Sequence, residues 1–81
     1  MRIKVRLFAL HRELLGKNAV SLDVPRGAKV KDLKPLLVHK FPALGKSIKN
    51  LAIVLNGSYS NPDSRLKDGD EIALIPPVSG G

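Results

Sequence analysis

The chain contains no cysteine and no tryptophan, and only three of its 81 residues are aromatic, Phe8, Phe41 and Tyr59. Without cysteine there can be no disulfide, no thiolate metal site and no cysteine nucleophile. Glutamine is also absent and methionine occurs once. High temperature favours such a composition, short of heat-labile side chains. No run of 18 apolar residues exists, so no helix is expected to span a membrane. The N-terminus alternates charged with apolar residues, Met1-Arg2-Ile3-Lys4-Val5-Arg6. A signal peptide needs a continuous apolar block instead, so a cytoplasmic protein is expected. Acidic residues are scarce, 7 against 14 Lys and Arg, for a net charge of +7. The excess is uneven: residues 1–50 hold 12 basic and 3 acidic side chains, whereas residues 51–81 hold 2 and 4. A basic half suits RNA, an acidic protein partner or plain solvation. With three aromatics there is no evident platform for stacking bases, and charge alone gives only non-specific affinity.

What is present reads as one small domain with a modest core. Residues 2–8 alternate, with Ile3, Val5 and Leu7 on one side and Arg2, Lys4, Arg6 and Phe8 on the other, which predicts a half-buried strand. Residues 9–15 read as a short helix stopped by Gly16. Residues 19–24 form a second strand, ended by Pro25-Arg26-Gly27. Val30, Leu33, Leu37 and Phe41 make one apolar stripe at helical spacing. Pro35 conflicts with a helix interior, so the helix proper is expected to start near Lys34 or to have a distorted first turn. Lys29 stands where a Ser or Thr cap is usual. Residues 43–50 are expected to be loop with a short helical turn. Residues 51–55 are apolar throughout, which predicts a strand covered on both faces. Asn56-Gly57 marks a tight turn, Tyr59 a short edge strand at most, and residues 67–70 another turn. Residues 71–75 form the last strand, with Ile72 and Leu74 toward the core and Ile75 away from it. Pro76-Pro77 stops pairing, because proline has no N–H. The order predicts a two-layer α+β domain, one main helix on a mixed sheet.

Familiar catalytic patterns are missing. No glycine-rich phosphate loop occurs. His11 and His39 are far apart and lack ligand-type neighbours, so both are expected to be plain surface or helix residues, and no metal site is predicted. Asp68, Asp70 and Glu71 lack calcium-loop spacing and read as a turn before a strand. No Ser or Lys has a general-base partner legible in the sequence.

The C-terminus stands apart. Two prolines hold the chain extended after the last strand, like a stalk. Gly80 and Gly81 have no Cβ and can enter a channel too narrow for other residues. Val78, Ser79, Gly80 and Gly81 have little to pack against and are expected to form a mobile tail beyond a domain of residues 1–77. Such a tail suits delivery of a terminal carboxyl group into another protein's active site.

Three segments carry a family resemblance: Leu7-Phe8-Ala9 with Arg12-Glu13-Leu14 and Gly16; Leu66-Lys67-Asp68-Gly69-Asp70-Glu71-Ile72-Ala73; and Pro76-Pro77-Val78-Ser79-Gly80-Gly81. In these the chain resembles the small subunit of molybdopterin synthase (MoaD-like), the thiamine sulfur carrier (ThiS-like) and ubiquitin-like modifiers. The resemblance implies a β-grasp fold with the last strand parallel to the first. It implies no bound cofactor: an E1-like adenylating partner spends ATP to activate the Gly81 carboxylate, a sulfur donor converts it to a thiocarboxylate, and the molybdopterin synthase large subunit receives the sulfur for the dithiolene that later holds molybdenum or tungsten. The implied partner-docking residues, on the sheet face away from the helix, are Phe8, Arg12, Tyr59 and Ile75. Alternatives within the resemblance are tRNA thiolation, thiamine synthesis and conjugation to protein lysines.

Overall fold

Alternation in the first strand sets the architecture. Ile3 and Val5 are buried while Arg2, Lys4 and Arg6 are exposed, so β1 (Arg2–Arg6) offers one face to the core and one to water. The structure, a computed structural model, describes residues 1–76. Helix α1 (Ala9–Leu15) follows and ends at Gly16, whose φ of 66° is the left-handed cap that glycine adopts without penalty. Strand β2 (Ala19–Asp23) returns antiparallel to β1, with Ile3 opposite Leu22 and Val5 opposite Val20.

The main helix α2 spans Leu33–Lys40 and is preceded by a 3-10 turn, Val30–Asp32. Pro35 therefore falls in the first turn of α2, where backbone N–H groups have no intrahelical partner and none is lost. Lys29 does occupy the cap position of the 3-10 turn. Its backbone N–H donates to Asp32 Oδ2 at 2.9 Å, so the acidic residue three places on does the capping. Val30, Leu33 and Leu37 are buried as the stripe requires, and Phe41 is half-buried.

Residues 42–50 differ from the expected loop. They form 3-10 structure, Pro42–Asn50, interrupted at Gly45, and bury Leu44 and Ile48. Strand β3 (Ala52–Leu55), the two-residue edge strand β4 (Ser58–Tyr59) and β5 (Glu71–Ile75) complete the sheet. Asn56 and Gly57 both take positive φ, 49° and 85°, in the tight turn between β3 and β4.

The strand order is β2-β1-β5-β3-β4. β5 lies at the centre, parallel to β1 and antiparallel to β3. Ile3, Val5, Leu7, Ile72 and Leu74 meet Leu33, Leu37, Leu44 and Ile48 in a single core. Strand β3 is not covered on both faces: all four residues are only partly buried, because the helical layer covers one side and nothing described covers the other. Among the described residues no helix is long and apolar enough to cross a membrane.

His11 also departs from expectation. It is 6% exposed, whereas its helix neighbours Leu10 and Leu14 are 54% and 44% exposed. Ser47 Oγ donates to the Leu44 carbonyl, which leaves its lone pairs to accept from His11 Nε2 at 3.0 Å. The pair ties α1 to the 3-10 segment. His39 is exposed on α2, as expected.

Candidate functional site

The sheet register places the outer face residue by residue. Arg6 lies opposite Ala73, Ala73 opposite Val54, and Val54 opposite Tyr59. One row toward the end of β5, Ile75 lies opposite Ala52. Phe8 keeps extended backbone angles, φ −132° and ψ 159°. Its phase follows Arg6 by two residues, so it continues the outer face of β1 at the level of Ile75. Beside Arg6, the residues Phe8, Ile75, Ala52, Ala73, Val54 and Tyr59 form an apolar band about 14 Å wide, three strand spacings from β1 to β4.

Phe8 is 41% exposed and Tyr59 78% exposed. Ile75 was expected to be exposed like Phe8 but is half-buried, because a central strand is flanked on both sides by the side chains of β1 and β3. Arg12 is exposed on α1, one helical turn beyond Phe8, and its N–H reaches the Phe8 carbonyl at 3.4 Å. The structure thus brings Phe8 and Ile75 together, sets Arg12 beside Phe8 and puts Tyr59 at the far edge. Val54, Ala73 and Ala52 bridge these positions, and the direction of Val54 and Ala52 escaped sequence reasoning. An all-apolar strand shows no alternation, and only the register reveals which side faces out.

Two of the three basic residues on the outer face of β1, Arg2 and Arg6 but not Lys4, are ion-paired among the described residues. Arg2 Nε pairs with Asp23 at 3.1 Å, and Arg6 Nε pairs with Glu71. The hydrogen bond from Arg2, and then its charge, hold the Asp23 carboxyl below the usual carboxylate value. The other carboxylates near the chain end are committed to the backbone. Asp68 Oδ1 accepts from Arg2 N–H at 2.8 Å, and Asp70 Oδ2 from Lys67 N–H at 2.7 Å. This ties the turn before β5 to the first strand and so fixes where β5 begins.

Pro76 is exposed at the end of β5. Pro77 and the expected tail, Val78, Ser79, Gly80 and Gly81, lie outside the described residues.

Residues 5–81 match the ThiS family. The chain belongs to the ThiS family. Within that family it is 42% identical, over the whole of both chains, to the molybdopterin synthase sulfur carrier subunit of Chlamydomonas reinhardtii. Among solved structures it is similar to the small archaeal modifier protein SAMP1 of Haloferax volcanii, at 32% identity and a TM-score of 0.85 with both chains fully covered. It is also similar to a chain in the complex of subunits 1 and 2 of the molybdopterin-converting factor of Helicobacter pylori, at 29% identity and a TM-score of 0.69, again with both chains fully covered. The fold of this ThiS family member is the ubiquitin-like β-grasp expected from the resemblance.

Proposed function

We propose that this chain is a sulfur carrier for the dithiolene of molybdopterin, with the Gly81 carboxyl as the carrying group. The observation behind this reading is the position of β5. The strand is central, its start is latched to β1, and it ends at Pro76 beside the apolar band of Phe8, Ile75 and Val54. A partner seated on that band also meets Pro76, the residue from which the last five follow in sequence. The names of the relatives support the same assignment.

The chemistry divides between the chain and its partners. The Gly81 carboxylate attacks the α-phosphate of ATP held by an E1-like enzyme, and pyrophosphate leaves. A hydrosulfide equivalent then adds at the acyl carbon, and AMP leaves. The thiocarboxylate passes its sulfur to a pterin precursor in the large subunit, and water restores the carboxylate. The complex of subunits 1 and 2 in the Helicobacter pylori relative supports such a partner. We assign no bound cofactor to this chain and place these reactions in the cytoplasm.

The test is intact mass after incubation with ATP, the adenylating enzyme and a sulfur donor. Replacement of one terminal oxygen by sulfur adds about 16 Da, and the Gly81 assignment requires the change to map to the last residue. A product modified elsewhere overturns it. A second reading, conjugation of the activated carboxyl to protein lysines, is favoured by the likeness to SAMP1. It predicts isopeptide-linked products in place of a free thiocarboxylate.

A further inference from the structure

Helix α2 commits Leu33 and Leu37 to the core. An adjacent side, bearing Lys34, Pro35 and Val38, meets the 3-10 segment across a groove of about 550 Å³. Pro35 and Val38 give it apolar surface above the buried Ile48, and Lys34, Lys46 and Lys49 stand around them. Its shape depends on Gly45, whose φ of 53° and ψ of −148° break the 3-10 run in two. A Cβ there would meet nothing within 4 Å, so the demand for glycine is conformational rather than steric.

The three lysines are not neutralised. No acidic residue lines the groove. The ion pairs among the described residues use Arg2, Arg6 and Lys31 instead. Lys34 is half-buried, and its Nζ donates at 2.7 Å to the Lys49 carbonyl. Burial holds its ammonium below the usual lysine value.

We propose that this groove docks an acidic segment of a partner protein, with aliphatic side chains on Pro35 and Val38 and carboxylates at Lys34, Lys46 and Lys49. Charge complementarity selects the occupant. A carboxylate gives the partly desolvated Lys34 ammonium a counter-charge that the free chain does not supply. The apolar surface separates this site from a nucleic-acid site: none of its residues is aromatic, so no base can stack there, and phosphates alone gain nothing from aliphatic surface. The groove is in the helical layer, whereas Phe8 and Ile75 are on the outer face of the sheet; the two surfaces approach one another only at the β4 edge, where Tyr59 and Lys34 line one cleft. The proposal therefore stands whether or not Gly81 carries sulfur.

The test titrates the ¹⁵N-labelled full chain with a synthetic ten-residue peptide of alternating Glu and Leu. Amide shifts should gather in residues 33–40 and 44–50. Affinity should fall with added salt and fall about tenfold in Lys46→Glu, an exposed position whose reversal spares the core. Lys17→Glu, exposed on the far side of Gly16 from α1, should bind like the parent chain. Equal binding of a peptide with Ser in place of Leu overturns the role of the apolar surface. Shifts confined to the outer sheet face, or tighter binding of an oligouridylate at the same amides, overturn the site or its occupant.

Discussion

Arg6 on β1 reaches diagonally across the parallel pair to Glu71 on β5, two residues before its register partner Ala73. The contact ties the first strand to the last on the outer face and offsets a cation beside the apolar band. Both side chains are about half exposed. The pair should therefore contribute no more than about 1 kcal/mol, and less at high salt. A double-mutant cycle with Arg6→Ala and Glu71→Ala, read by urea unfolding at two salt concentrations, measures it. A coupling insensitive to salt would contradict the assignment to an exposed pair.

Charge at Phe8 should separate docking from folding. Phe8→Asp adds charge at an exposed position and should weaken binding to the large partner by about tenfold or more with little change in thermal midpoint. Ile75→Asp should lower both, because Ile75 is half-buried between β1 and β3. Calorimetric titration beside thermal unfolding reads the two effects. Undiminished binding by Phe8→Asp would remove the apolar band from the interface.

Removal of Gly81 moves the reacting carboxyl back by about 3.3 Å. A misplacement of 1 Å can already cost about 100-fold, so sulfur transfer should fall below that level. A bulky residue at Gly80 should block the channel of the partner instead. Single-turnover transfer measures both variants, and their unfolding midpoints separate a chemical loss from a folding loss. Transfer by the truncated chain at the parent rate would falsify the carrier reading.

His11→Ala should destabilise the fold by about 1–3 kcal/mol, since it empties a buried site and leaves Ser47 without its donor. Hydrogen exchange should rise first in α1 and in residues 44–50. A uniform rise across the sheet would mean that His11 supports the whole core rather than this junction.

Ala9 holds a positive φ of 49° at the start of α1. The left-handed region costs a non-glycine residue about 1–2 kcal/mol, and the greater freedom of glycine in the unfolded chain takes back part of any gain. Ala9→Gly should therefore stabilise modestly, by up to about 1 kcal/mol in urea unfolding.

Much of this was legible where local chemistry and tertiary packing agree. The Ile3-Val5-Leu7 alternation set the face of β1, Gly16 stopped α1, and Asn56-Gly57 turned the chain between β3 and β4. Pro35 was a conflict only while the helix start was open, since a first turn beginning at Leu33 accommodates it. His11 was misread because α1 inverts the usual pattern, with Leu10 and Leu14 in water and the histidine inside, and the reason lies 36 residues away at Ser47. Phe8 and Ile75 could be named from strand phase alone. Val54 and Ala52 could not, because an all-apolar strand has no alternation and their outward direction follows from pairing with β5. The groove beside α2 had no local signature, as its lysines come from two elements that only the fold brings together.

The parallel pairing of β1 with β5 has a mechanical consequence. A partner that draws the chain forward from Pro76 pulls along the axis of β5, with β1 gripping one edge and β3 the other. The ladder bonds then share the load in shear instead of opening one after another, as they would in a strand peeled from an edge. Tension from threading the terminus should thus be borne without unravelling the sheet, and repeated cycles of insertion and withdrawal should leave the domain intact.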